Sequence, residues 1–381
     1  MDHAPDAAVL TEPTAKPSVG RDTFIDFVRA FSLLVVVAWH WCFTLIRWRP
    51  DGPHATSPIG FTEGLWTMTW LLQVMPLFFF VGGFSNLVAW RAKEAHGATI
   101  GSFVWSRVRQ LAAPSLALAG TWIGLGVLVS IRYDSAWIGN AVKLVISPLW
   151  FIAAYLVIIA LFPIFEWLHD RFDVVVLVVL IGLAWLVDVT RFRHDWNNFA
   201  MLNMVLVWGA AHQLGFFYER IVNAHRRVAW SLALGGLFGL AALVYSDRYP
   251  GSMVGVPGDK FSNMAPPTMC IVALVFFQAG IAALIRDRVL DRLETRERWS
   301  AMNRLINRFS MPLFLFHTTG LAIAFWLGRS VGLYSKRQPD LRWWLFRPVS
   351  FVGPLLFTLP VIFLFGRRWL KGAPAPVADS R

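Results

Sequence analysis

Apolar residues come in ten blocks, most of them close to 20 residues long and separated by short polar breaks. A bilayer core about 30 Å thick is crossed by roughly 20 apolar residues in helical form. The pattern therefore predicts ten membrane-spanning helices. Their expected limits are Phe24–Ile46, Leu65–Trp90, Leu111–Ile131, Leu149–Trp167 and Val174–Thr190, then Ala200–Tyr218, Val228–Ser246, Pro267–Ile285, Met311–Leu327 and Phe346–Phe365. The fold class is all-α, a polytopic transmembrane helical bundle, with residues 21–368 forming one membrane domain. Residues 1–20 and 369–381 lack apolar periodicity and read as disordered cytoplasmic tails. The first tail has neither the basic n-region nor the short apolar core of a cleavable signal, so the first span reads as its own anchor.

Composition agrees with the pattern. Of 381 residues, 56% are apolar and only 15% charged, where soluble domains carry about 25% charged. The net charge of +12 raises the question of nucleic acid. The basic residues are spread through short loops and form no clustered face, which excludes that partner in favour of membrane orientation. Placing the N-terminus inside puts the larger share of Lys and Arg in cytoplasmic segments. The last external loop, with Arg329, Lys336, Arg337, Arg342 and Arg347, runs against the trend. The expected location is the plasma membrane, multi-pass, with both termini cytoplasmic. Cys42 and Cys270 fall within or beside apolar spans and offer neither a disulfide framework nor a metal signature, and no metal is expected.

The first helix departs from the apolar pattern. It carries Asp26, Arg29 and His40, which a span that only had to sit in lipid would do better without. Arg29 and His40 are separated by eleven residues, so they lie about 20° apart around the helix and roughly 16 Å apart along it. Asp26 is one turn below Arg29 and within pairing distance. A snorkelling arginine with an acidic partner, and a neutral histidine bonded to a neighbouring helix, would account for these residues without chemistry. Function accounts for them together. A histidine serves as general base on a hydroxyl near neutral pH, and an arginine at the inner edge holds phosphate through its fork. Acyl-coenzyme A has phosphates at one end and a long arm leading to a reactive thioester, and it would span the distance.

The residues Asp26-Phe27-Val28-Arg29, followed by His40, resemble the first-helix signature of the acyltransferase 3 family of integral membrane proteins. "MPLFFFVGGFSN" (75–86) is similar to that family's second-helix segment, and "FVWSRVRQLAAP" (103–114) to its basic segment before the third helix. "PLWFIAAYL" (148–156) and "SMPLFLFHTT" (310–319) resemble its middle and late helices. The resemblance runs in order along nearly the whole chain. It implies transfer of an acyl group from acyl-CoA, as co-substrate with no bound cofactor, to a hydroxyl of a carbohydrate, glycolipid or cell-envelope acceptor. It assigns the catalytic base to His40 and donor binding to Arg29, Arg107 and Arg109. Two positions depart from the family pattern: Gly82 stands where the family has Ser, and Gln110 where it has a second basic residue.

Other residues carry weaker expectations. His212, beside Gln213 in the sixth predicted span, is a donor contact or a helix cross-link. His317 and Asp26 are supporting residues. Gly82 and Gly83 suit close helix packing or close approach of a ligand. Asp188, Arg191, Arg193, Asp195 and Trp196, with "SNMAPPT" (262–268), could line an acceptor entrance. Seven basic residues between Arg286 and Arg308 predict an amphipathic helix at the inner face. No activated nucleophile for an acyl-enzyme is evident, so direct transfer is the simpler scheme. The rival class is a transporter or flippase with the same residues along a permeation path. Matching broken helices in two halves, which transporters commonly show, are not found.

Overall fold

The computed structural model describes residues 22–50, 52–133, 137–194, 198–256, 261–330, 340–345 and 347–370. Both predicted tails, apart from residues 369 and 370, lie outside these residues, as do Asp195, Trp196, Lys336 and Arg337. In chain order the helices are α1 Thr23–Phe43, α2 Thr69–Leu72, α3 Met75–Glu94, α4 Ile100–Arg132, α5 Trp137–Ile146, α6 Leu149–Ala160, α7 Phe162–Phe172 and α8 Val174–His194. They continue with α9 Asn203–Phe216, α10 Tyr218–Asn223, α11 Arg226–Val244, α12 Met269–Thr295, α13 Glu297–Arg308, α14 Ser310–Ser330, α15 Leu341–Leu345 and α16 Val349–Leu370. A two-stranded antiparallel hairpin, β1 Leu45–Arg49 and β2 Gly52–Thr56, follows α1.

Among the described residues nine helical segments are long and apolar enough to cross a membrane, and α5 with α6 adds a tenth if that bent pair is one span. The chain is a multi-pass membrane bundle, as the apolar blocks predict. The fourth predicted span differs. Instead of one helix over Leu149–Trp167, α5 and α6 meet at a 48° bend, and α6 stops at Ala160. Pro148 and Pro163 mark the two breaks, because proline lacks an N–H and crowds the carbonyl four residues back. The second predicted span is likewise broken before Met75, and Pro76 falls in the first turn of α3.

Side-chain caps begin several helices. Asp22 accepts hydrogen bonds from the Phe24 and Ile25 N–H groups at the start of α1, and Thr268 accepts from the Cys270 N–H at the start of α12. Such caps meet donors that have no intrahelical partner. The amphipathic helix predicted between Arg286 and Arg308 is divided between the end of α12 and α13. From α13, Asn307 Nδ2 donates to the Asp26 carbonyl at 2.9 Å, tying down the first turn of α1. Asp188 does not line an acceptor entrance. It is fully buried and accepts from Asn203 Nδ2 at 2.9 Å and from the Met269 N–H at 2.8 Å, which fastens α8 to the start of α12.

The α3–α9 contact brings two backbones together. A Cβ on Gly83 would meet the His212 carbonyl oxygen, and one on Gly215 would meet the Phe80 carbonyl oxygen. Small residues permit such approach, and membrane helices associate largely through close packing of this kind. Around the crossing, Phe79 stacks on Trp208 at 4.5 Å between ring centres. Gly83→Ala forces the two helices apart and should cost about 1–3 kcal/mol. Gly101→Ala, at an open position near the start of α4, should be neutral or slightly stabilising. Thermal unfolding of both variants in one detergent checks the difference.

Candidate active site

A cavity of about 640 Å³ lies between α1, α3, α4, α6 and the start of α14. That volume falls within the usual range for small-molecule pockets. One end is polar, with Arg29, Arg107, Ser85, Asn86, Tyr155 and Gln110 in its wall. The other end is apolar, walled by Leu33, Phe78, Phe151 and Phe314.

Arg29 reaches the polar end from α1. Its Nη1 donates to Asp26 Oδ1 at 2.9 Å, and its Nη2 donates to Ser85 Oγ on α3 at 2.9 Å. Asp26 is thus the partner expected from its spacing. Asp22, also in the wall, is occupied by its capping bonds and by the Tyr218 hydroxyl, which donates to Oδ2 at 2.9 Å. Burial pushes the Tyr218 phenol up, so it stays protonated as that donor. Arg107 lies on α4, with its guanidinium carbon 5.3 Å from the centre of the Phe103 ring, and makes no ion pair among the described residues.

The other expected donor contacts are placed elsewhere. Arg109 is exposed and outside the cavity wall. Two residues along a helix is about 200° around it, so Arg107 and Arg109 cannot face the same cavity. His212 is fully buried and takes no part in the wall. Its Nε2 accepts from Asn86 Nδ2 at 3.3 Å, which makes it a cross-link behind that asparagine.

His40 and His317 meet one to two turns beyond the apolar end of the cavity. His317 Nδ1 lies 2.6 Å from the Phe314 carbonyl oxygen, so this nitrogen carries the proton and donates. The neutral ring then leaves Nε2 as an acceptor, 3.1 Å from His40 Nδ1. His40 Nδ1 is also 2.9 Å from the Val36 carbonyl oxygen. Both neighbours are acceptors, so the bonding network assigns the His40 proton to Nδ1 and the lone pair to Nε2. Around the pair, Trp41 Nε1 donates to the His317 carbonyl at 3.0 Å, and Thr318 Oγ1 donates to the Val145 carbonyl at 2.9 Å. These bonds join α1, α5 and α14 at the level of the histidines. Chemically, the arrangement can take a proton at His40 Nε2 and share the resulting charge with His317.

The rings of Phe78, Phe151 and Phe314, all in the cavity wall, form a chain of contacts that ends on His317. Phe78 and Phe151 are 5.4 Å apart, Phe151 and Phe314 5.8 Å, and Phe314 and His317 5.9 Å. Sequence reasoning found Arg29, Arg107 and both histidines. It missed Ser85, Asn86 and Tyr155, although the first two close the quoted "MPLFFFVGGFSN" stretch and Tyr155 is the only phenol of "PLWFIAAYL".

No curated protein and no solved structure matches the chain. A family model described as an acyltransferase domain, that of acyltransferase 3, matches residues 22–367, nearly the whole chain and every residue of the cavity and the histidine pair. The ordered motifs, the helical bundle and this match together place the chain in the acyltransferase 3 family of membrane acyltransferases.

Proposed function

We propose that the protein transfers an acyl group from acyl-CoA to a hydroxyl of a carbohydrate, glycolipid or cell-envelope acceptor at the plasma membrane, with both termini cytoplasmic. The observation that carries this reading is a cavity with free cationic capacity at one end and a paired histidine beyond the other. Arg29 and His40 are separated by roughly 16 Å along α1, a length that suits the pantetheine arm. On this reading the donor enters from the cytoplasm, Arg29 and Arg107 take its phosphates, and the arm passes the phenylalanine rings.

The acceptor hydroxyl gives its proton to His40 Nε2 as its oxygen attacks the thioester carbonyl. The carbon–sulfur bond breaks, the thiolate takes the proton back from the imidazolium, and free CoA leaves. His317 holds the reactive tautomer. Its Nε2 lies against the His40 Nδ1–H, so the ring keeps its lone pair towards the acceptor and gains an acceptor contact when charged. Arg109 and His212 have no direct part in this scheme.

Removing one positioned base loses about 10²–10⁴ in rate. His40→Ala should therefore abolish most CoA release from acyl-CoA by protein in lipid nanodiscs, while acyl-CoA binding persists. Arg29→Ala should weaken that binding. Wild-type protein that neither binds nor consumes a panel of short acyl-CoAs would end the donor assignment.

His317→Ala leaves the Val36 carbonyl as the one acceptor for the His40 Nδ1 proton and weakens the preference for that tautomer. One neutral hydrogen bond is worth about 1 kcal/mol, so kcat should drop about five- to tenfold with the acyl-CoA KM unchanged. Steady-state kinetics over acyl-CoA concentration separates the two. A KM change with constant kcat would mean that His317 acts in binding instead.

A further inference from the structure

The Tyr155 hydroxyl has no part in the scheme above. It lies in the cavity wall over Gly82, where a Cβ would meet both the phenol oxygen and the ring. The ring stacks on Phe151 at 6.1 Å and meets Phe79 edge-on at 5.5 Å, so packing holds the hydroxyl in place. Its oxygen accepts from Asn86 Nδ2 at 3.2 Å. The phenolic O–H itself then remains to donate, and no acceptor for it occurs among the described residues.

Gly82, Ser85 and Asn86 are spaced three and four apart on α3 and so share one face. On that face the Tyr155 hydroxyl, Ser85 and the Ser85-bound Arg29 guanidinium come together. Arg107, from α4, lines the same cavity as Arg29 and Tyr155. Two guanidinium groups from separate helices and an unspent O–H, facing one cavity, form an array of donors. Such an array suits a group that only accepts and carries more than one negative charge, and a phosphoryl group has three acceptor oxygens to meet it. The site is about three helical turns below His40, too far for the reacting carbonyl.

We propose that Tyr155, together with Arg29 and Arg107, binds a phosphoryl group of the acyl donor, its phenolic O–H donating to a phosphoryl oxygen. This rests on the donor reading given under Proposed function. It makes Tyr155 a residue that selects phosphorylated donors over the bare arm.

Tyr155→Phe removes only the hydroxyl and keeps the ring over Gly82. Binding of coenzyme A and of pantetheine, which has the arm without phosphates, is measured on wild type and variant in phosphatidylcholine nanodiscs. A hydrogen bond to a charged group contributes about 1.5 kcal/mol, or roughly tenfold in affinity. The variant should bind coenzyme A about tenfold more weakly and pantetheine as wild type does. Unchanged coenzyme A binding, or equal losses for both ligands as a purely structural tyrosine would cause, overturns the proposal while leaving the donor reading intact. Wild type that does not bind coenzyme A at all removes both. A lipid headgroup offers the same phosphoryl chemistry, so the titration is repeated with phosphatidylglycerol in the disc. Competition by that lipid that depends on the Tyr155 hydroxyl would assign the site to lipid and also overturn the proposal.

Discussion

A titratable side chain within hydrocarbon is tolerated where another group meets its charge or its hydrogen bonds, and on α1 each such residue is met. Asp26 and Ser85 hold Arg29, His317 holds His40, and Asn307 holds the Asp26 carbonyl. These partners come from α1 itself and from α3, α13 and α14, so satisfying α1 sets its position against the elements around it. Arg29 and His40, the two residues of α1 in the proposed scheme, are thus placed by the same bonds that place the helix. Neither could be moved without leaving a polar group unpaired, which is costly where water is excluded.

The cavity depends on how α3 uses its two adjacent glycines. Successive residues point about 100° apart on a helix, so Gly82 and Gly83 face different neighbours. Gly83 draws α3 onto the His212 carbonyl of α9, a close backbone contact. Gly82 faces the cavity and leaves room for the Tyr155 hydroxyl. Of the two roles open to this pair from sequence, close helix packing is seen at Gly83, while Gly82 makes room for a side chain from α6. One face of α3 is anchored on α9, and a second face, about 100° around the helix, borders the cavity.

Much of this was legible in the sequence because the bilayer simplifies the rules. Among the described residues nine of the ten apolar blocks correspond to candidate spans, while the fourth overlaps only the second half of the bent pair, α5 lying outside it. The polar residues of α1 stood out because lipid excludes them. The shared face of Arg29 and His40 followed from helical geometry alone. What periodicity cannot report is which helices are neighbours. The His40–His317 bond joins positions 277 residues apart, and Tyr155 acquires its meaning only from Gly82, Asn86 and Arg107 on two other helices. The hairpin over Leu45–Thr56 was absorbed into the first apolar block and the loop after it. The fourth span was drawn as one helix because its apolar run continues through Pro163, where hydrophobicity does not fall but the backbone breaks. Arg109 resembled Arg107 in every respect except its angle around α4.

The separation of charge from chemistry is a physical condition of the proposed reaction. Phosphates need cations and remain near water, whereas a thioester near its acceptor benefits from water being kept out, since water competes as a nucleophile. In the proposed reaction Arg29 and Arg107, at the polar end of the cavity, would meet the first need. Phe78, Phe151 and Phe314 wall the cavity on the way to His317, an apolar stretch that a charged group would cross only with a large desolvation cost. An uncharged arm can thread such rings while its phosphates stay behind. Under the proposed reaction, the length of α1 between Arg29 and His40 would select the donor by reach, because only a molecule whose reactive carbon lies a comparable distance from its anionic group can occupy both ends at once.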